Sequence, residues 1–259
     1  MLPERRARRT PEPLYHGHMN PSGQSGQRVA FFGGSFDPPH RGHLAVARAA
    51  RAALKLDTVL FAPVGAQPLK PYGAGAAFAD RLEMTRLAID EEPGFSLSLA
   101  DAPRPAGEPN YTLETLLRLR SALAEGGELF CLMGADSYFG LRGWHRAGEI
   151  PFAAPLIVAS RPGEKMDELK SAMPAGLRVE GAGEAAEPAA DAAMRRFVVV
   201  NRAGERAPLY LLPGLHVEIS ASTIRESMKD TRGPSAVEEL LPSAVAAYIR
   251  ARGLYGWKA

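Results

Sequence analysis

The stretch that decides the fold is Arg28-Val29-Ala30-Phe31-Phe32-Gly33-Gly34-Ser35-Phe36-Asp37-Pro38-Pro39-His40-Arg41-Gly42-His43. Its first five residues make a short, mostly apolar run that ends in a glycine pair, which reads as a strand stopped by a tight turn. From about Gly42 to Leu54 the chain reads as a helix. Strand, glycine turn and helix in succession are the first half of a βαβ unit. In an open parallel sheet, ligands bind beyond the carboxyl ends of the strands, at turns of this kind. Gly33 and Gly34 let backbone N–H groups approach a phosphate closely, and a helix that begins near Gly42 points its positive end at the same place.

Outward from this stretch the alternation continues. Thr58–Ala62 (closed by Pro63), Phe95–Leu99, Glu128–Met133 and Pro155–Ala159 read as strands, while Ala79–Asp90 and Thr112–Leu123 read as helices. The pattern predicts an α/β fold, a Rossmann-like doubly wound parallel sheet flanked by helices. Short continuous apolar runs fit strands covered on both faces. Gly163–Met173 reads as a helix, and Gly181–Met194 is rich in Ala, Glu and Gly, so residues 163–196 read as a surface insertion. Phe197–Val200 and Leu209–Leu212 are strand-like. Ala221–Met228 and Pro242–Arg252 give a small C-terminal helical portion, with Pro242 suited to a first turn and Gly253 to a stop. Residues 1–27, rich in Arg, Pro, Gly, Ser and Gln, read as a disordered tail, and residues 28–259 as a single domain.

The 259 residues carry 31 Lys+Arg against 29 Asp+Glu, a formal charge of +2. Four arginines and two glutamates lie in the first 27 residues, so the surplus belongs to the tail and the rest of the chain is neutral. A neutral body argues against bulk duplex nucleic acid as a partner, because that binding rests on many Lys/Arg–phosphate contacts. The single cysteine, Cys131, excludes an intrachain disulfide and a Cys-rich zinc cluster, and reads as a buried strand residue. No uninterrupted apolar run approaches the roughly 18 residues of a membrane span, and no apolar segment follows the N-terminal arginines. The expected location is cytoplasmic, with no membrane partner.

Several common readings of the first turn fail. A Walker loop needs a terminal Gly-Lys-Ser/Thr, and a dinucleotide fingerprint needs Gly-x-Gly-x-x-Gly; neither is present. A zinc pair at His40 and His43 lacks an obvious third ligand nearby. What remains is two imidazoles, separated by a small glycine, held at a helix start where both can face a bound phosphate. Imidazole N–H groups can donate to oxygens on which charge develops during phosphoryl transfer, a reaction that asks mainly for positioning and electrostatics. A second constellation, Ile219-Ser220-Ala221-Ser222-Thr223-Ile224-Arg225, opens another helix. Ser220 or Ser222 can serve as its N-cap, with Glu226 close enough for a capping pattern. The same hydroxyls, with Arg225 one turn in, also make an anion site.

The first segment resembles the G-x-F-x-P-x-H-x-G-H signature of the HxGH nucleotidyltransferases, matched at Gly34, Phe36, Pro38, His40, Gly42 and His43, with Asp37 also as in that family. The second resembles the serine- and arginine-containing motif with which that superfamily holds triphosphate. Between them, five segments resemble the bacterial nicotinate-nucleotide adenylyltransferases. These are Ala62-Pro63 with Pro68-Leu69-Lys70-Pro71; Arg81-Leu82-Glu83-Met84; Asn110-Tyr111-Thr112-Leu113-Glu114; Met133-Gly134-Ala135-Asp136-Ser137 with Trp144 and Ile150; and Val158-Ala159-Ser160-Arg161-Pro162-Gly163. Asn110 stands for that family's Ser, Glu114 for its Asp and Ser35 for its Thr, and no His precedes Lys70.

The resemblance implies adenylyl transfer from ATP to nicotinate mononucleotide, giving deamido-NAD and pyrophosphate, with Mg²⁺ accompanying ATP and no metal held by protein side chains. His40, His43 and Arg225 would be catalytic. Gly33, Gly34, Ser35, Phe36, Lys70, Ser220, Ser222 and Thr223 would hold ATP and its phosphates. Thr112, Asp136 and Trp144 would hold the nicotinate nucleotide. Each of the outlying residues also has a plainer reading: packing for Trp144, a helix cap for Asp136, a solvated loop lysine for Lys70. Nicotinamide mononucleotide or another phosphate acceptor, and a catalytically silent nucleotide-binding regulator, stay open as alternatives, and the sequence is compatible with a homo-oligomer.

Overall fold

The computed structural model describes residues 15–16, 26–66, 75–160, 166–185, 194–212, 219–229 and 234–257. Its strands are β1 (Tyr15–His16), β2 (Arg28–Gly34), β3 (Thr58–Pro63), β4 (Phe95–Ser98), β5 (Glu128–Gly134), β6 (Leu156–Ala159), β7 (Arg178–Ala185), β8 (Arg195–Val200) and β9 (Arg206–Leu212). The helices are α1 (Arg41–Leu54), α2 (Phe78–Ile89), α3 (Thr112–Ala122), α4 (Ala135–Phe139), α5 (Ile150–Ala153), α6 (Met166–Ser171), α7 (Ala221–Ser227), α8 (Pro234–Leu240) and α9 (Ser243–Arg252). The nine strands form one sheet in the order β1-β4-β3-β2-β5-β6-β9-β8-β7.

Six of these strands, β4-β3-β2-β5-β6-β9, run parallel to one another. Counted along the chain, they lie in the doubly wound order 3-2-1-4-5-6, which reverses between β2 and β5. Alternation along β2 sends Val29 and Phe31 into one buried layer and Ala30 and Phe32 into the other. The same alternation in β5 parts Leu129, Cys131 and Met133 from Phe130 and Leu132. Helix α1 covers one face through Leu44, Ala47, Ala50 and Leu54, spaced three to four residues apart. Helix α3 covers the other through Leu113, Leu116 and Leu119. Cys131 is buried in strand β5, and the surrounding apolar groups push its thiol up to about 12.

The sheet departs from the all-parallel expectation at both ends: β7, β8 and β9 pair antiparallel at one, and the two-residue β1 pairs antiparallel with β4 at the other. The β8–β9 pairing follows from the turn after β8. Asn201 Oδ1 accepts from the N–H groups of Ala203 and Glu205, and Asn201 N–H donates to Glu205 O, which closes a five-residue connection too short for a parallel crossover. The segment read as an insertion, 163–196, therefore contributes α6, β7 and the first residues of β8. Helix α8 was not anticipated from the sequence. In the N-terminal segment read as a tail, Tyr15–His16 forms a two-residue antiparallel strand beside β4. Gly253 ends α9 with φ 60°, as its position implied. Among the described residues no helix is long and apolar enough to cross a membrane.

A buried polar chain joins the loop after β4 to α3. Arg118 Nη2 donates to Ala100 O (2.8 Å) and to Thr115 Oγ1 (3.0 Å), and Thr115 Oγ1 donates to Asp101 Oδ1 (2.5 Å). Burial pushes the Asp101 carboxyl up, and the Thr115 hydroxyl opposes that shift. Thr115→Val keeps the volume and removes the donor. It should cost about 1–3 kcal/mol, read as a lower urea midpoint at unchanged slope; an unchanged midpoint would show that the chain contributes nothing to stability.

Candidate active site

The reversal of strand order opens a crevice at the carboxyl ends of β2 and β5. A cavity of about 640 Å³ lies there, within the usual range for a small-ligand site. Its walls include the turn after β2, the starts of α1, α3, α4 and α7, and the Trp144–His145 pair.

The turn after β2 is fixed from beneath. Phe36 takes φ 46°, unusual for a residue with a side chain, and its ring is buried against Phe32 and Phe61 at centroid distances of 5.6 Å. The same ring meets His43 edge-on at 5.0 Å and so backs the imidazole. Behind Phe36, the Arg81 guanidinium donates to Ser35 O (2.7 Å), Val64 O (2.8 Å) and Ala76 O (3.3 Å). The Asp37 carboxylate accepts from Gly75 N–H (2.6 Å), Ala76 N–H (3.0 Å) and Tyr255 O–H (2.7 Å). Arg225 Nη1 donates to Asp37 O at 2.7 Å and lies 3.7 Å from Asp37 Oδ2. Two motifs 188 residues apart are thereby joined through one aspartate.

His40 and His43 stack at a centroid distance of 3.7 Å. The His40 backbone N–H donates to His43 Nδ1 (3.2 Å), which places the His43 ring proton on Nε2. Burial lowers the His40 imidazole to about 4. Burial, and then the neighbouring His40, hold His43 well below the usual histidine range. At neutral pH both rings are uncharged N–H donors, and both belong to the first turn of α1, at its positive end.

The C-terminal motif is simpler than its sequence offered. Ser220 is the N-cap of α7: its Oγ accepts from Thr223 N–H at 3.1 Å and pairs with Thr223 Oγ1 at 2.8 Å. Glu226 is thus not the capping partner, because Thr223 occupies the third helical position. Arg225 Nη2 reaches Ser222 Oγ at 3.4 Å.

A family model, cytidylyltransferase-like, matches residues 31–227. The "Probable nicotinate-nucleotide adenylyltransferase" of Gloeobacter violaceus is 39% identical over 230 residues, covering 89% of this chain and 97% of that one. The protein of the same name from Citrifermentans bemidjiense is 35% identical, with 88% and 98% covered. The chain belongs to the nicotinate-nucleotide adenylyltransferase family of cytidylyltransferase-like proteins. Its fold also matches a solved Plasmodium falciparum nicotinic acid mononucleotide adenylyltransferase complexed with NaAD, at a TM-score of 0.63 and 14% identity, covering 90% of this chain and 98% of that one. Members of this family are nucleotidyltransferases, and the chain is an enzyme of that kind.

Within this family member, Gly33, Gly34, Ser35, Phe36, His40, His43, Thr112, Asp136, Trp144, Ser220, Ser222 and Arg225 all line this cavity. Thr223 does not line it and serves the cap instead. Lys70 lies outside the described residues. Among the cavity-lining residues that sequence reading did not select as site residues are Asp101, Asn110 and His145. The rule that ligands gather beyond strand ends could have flagged Asp101, which follows β4. Asn110 departs from the family pattern for a visible reason: Oδ1 accepts from Ala66 N–H and Nδ2 donates to Ala102 O, each at 3.1 Å, which pins the entry to α3. His145 stacks on Tyr111 at 4.3 Å, a contact between separate loops that no local pattern announces.

The lowered imidazoles set a pH dependence. The unfolded chain takes up protons near pH 6.5 that the fold refuses until about pH 4, so stability present above pH 6.5 is lost as pH falls toward 4. His40→Asn should flatten that acid decline in Tm across this window. An acid slope identical to that of the parent would remove the assignment of a buried neutral imidazole.

Proposed function

We propose that residues 28–259 act as one catalytic unit that transfers the adenylyl group of ATP to the phosphate of nicotinate mononucleotide. An oxygen of the mononucleotide phosphate attacks the α-phosphorus, and the bond from that phosphorus to the bridging oxygen breaks. Pyrophosphate leaves with the electron pair, and deamido-NAD remains. The observation that carries this reading is a pair of stacked, uncharged imidazoles and an arginine from a distant motif on the wall of one crevice.

His43, with its proton on Nε2, donates to an α-phosphate oxygen as charge gathers there. His40 donates beside it, and neither ring has to change its charge during the reaction. Gly33, Gly34 and Ser35 bring backbone and hydroxyl groups to the phosphates, with Phe36 fixing the turn. Ser220, Ser222 and Arg225 hold the β- and γ-phosphates, and Thr223 assists through the cap. Lys70 adds positive charge from the segment after β3.

At the other end of the cavity, α3 begins without a side-chain cap, so its first N–H groups and Thr112 suit a nicotinate carboxylate. Trp144 offers a flat face to the cationic pyridinium ring, and the exposed carboxylate of Asp136 suits ribose hydroxyls. Hard phosphate oxygens suit Mg²⁺, which binds here with ATP through substrate phosphates and waters. When bound with ATP, the ion neutralises charge on the departing pyrophosphate.

Purified protein incubated with ATP, Mg²⁺ and either nicotinate or nicotinamide mononucleotide should release pyrophosphate with the nicotinate substrate. Absence of release with both acceptors overturns the reading, and equal rates replace it with dual specificity. His43→Ala should lower kcat about 10²–10³-fold while the thermal transition persists. Turnover near that of the parent would exclude His43 from the transition state.

A further inference from the structure

Tyr255 lies outside the cavity, near the C-terminal end of the described chain, and its phenol reaches into the support of the catalytic turn. Its backbone takes φ 58°, a conformation that residues with side chains rarely adopt. The chain is anchored on both sides of it. Helix α9 precedes it, and Trp257 follows, buried, with the Arg250 guanidinium 4.5 Å from its ring centroid. Burial and the Asp37 hydrogen bond both raise the Tyr255 phenol, so it stays a donor throughout the neutral range.

The packing around this contact is close. A Cβ added at Gly75 would stand 3.2 Å from Asp37 Oδ2 and 3.3 Å from both Arg225 Cδ and Tyr255 Cε1. Gly75 therefore fits among the three side chains because it has none of its own. The Asp37 carboxylate gathers the first residues described after segment 67–74, the second-motif arginine and the C-terminal tyrosine. With one proton donor removed, the buried carboxylate would turn toward its remaining partners.

We propose that Tyr255 is a positioning residue for adenylyl transfer: its hydroxyl orients the Asp37 carboxylate, and Asp37 holds Arg225 and Gly75–Ala76 in register with the His40–His43 turn. It touches no substrate. The inference rests on the adenylyl-transfer reading, and its test separates the two.

The structure supplies a control. Tyr248 O–H donates to Asp80 Oδ1 at 2.9 Å, the same kind of phenol–carboxylate bond from the same C-terminal region, but directed at α2 and not at Asp37. Tyr255→Phe and Tyr248→Phe each delete one hydroxyl. Tyr255→Phe should lower kcat/KM for ATP about tenfold, weaken binding of a non-hydrolysable ATP analogue, and speed hydrogen exchange at the Gly75 and Ala76 amides. KM for the mononucleotide should stay unchanged. Tyr248→Phe should keep the kinetics of the parent even where its Tm falls as far. Parent-like kcat/KM in Tyr255→Phe, or an equal loss in both variants, overturns the proposal. Should the parent itself release no pyrophosphate, the adenylyl-transfer reading fails on its own. Unchanged analogue affinity and unchanged amide exchange in Tyr255→Phe would then overturn the positioning role as well.

Discussion

The Asp37 carboxylate is buried where the turn after β2, the residues that open onto α2, helix α7 and the C-terminus converge. A carboxylate removed from water is costly unless hydrogen-bond donors replace the lost solvation. Here two backbone N–H groups and a phenol do so, with a guanidinium alongside. Each donor comes from a different distance along the sequence, so the charge can be satisfied only when those segments have come together. The turn after β2 is therefore held from several sides, because a buried charge requires its surroundings to be complete.

The same support frames the two histidines. Phe36 is driven into a left-handed backbone conformation whose cost is offset by burying its ring, and the ring in turn backs His43. His40 lends its backbone N–H to His43 Nδ1, so one histidine selects the tautomer of the other. Stacked rings in a desolvated turn resist protonation. The result is two neutral donors held at a helix start, an arrangement suited to charge that appears on a phosphate only during reaction.

Much of this was legible in the sequence. The parallel strands follow from short apolar runs alternating with helical periods, and their observed ends fall close to the expected ones, as at Thr58–Pro63 and Glu128–Gly134. The antiparallel β8–β9 pairing was not, because its cause is a side-chain turn at Asn201 and not a hydrophobic pattern. In the site, residues carried by motifs were legible: His40, His43, Ser220 and Arg225 lie as a group on one cavity. Asp101, His145 and Tyr255 were not, because each acts across the fold with a partner on another element.

The sequence by itself determined the doubly wound core, the two motifs that meet at the cavity and the absence of net charge on the body. Local spacing is enough for these, since periodicity and turn residues act within a few positions of themselves. Only the tertiary structure decided that Thr223 caps a helix instead of lining the cavity, that Asn110 pins the entry to α3, and that the C-terminal tyrosine meets Asp37. These depend on which groups a buried polar atom finds when solvent is excluded, and that choice is made between segments far apart in the chain.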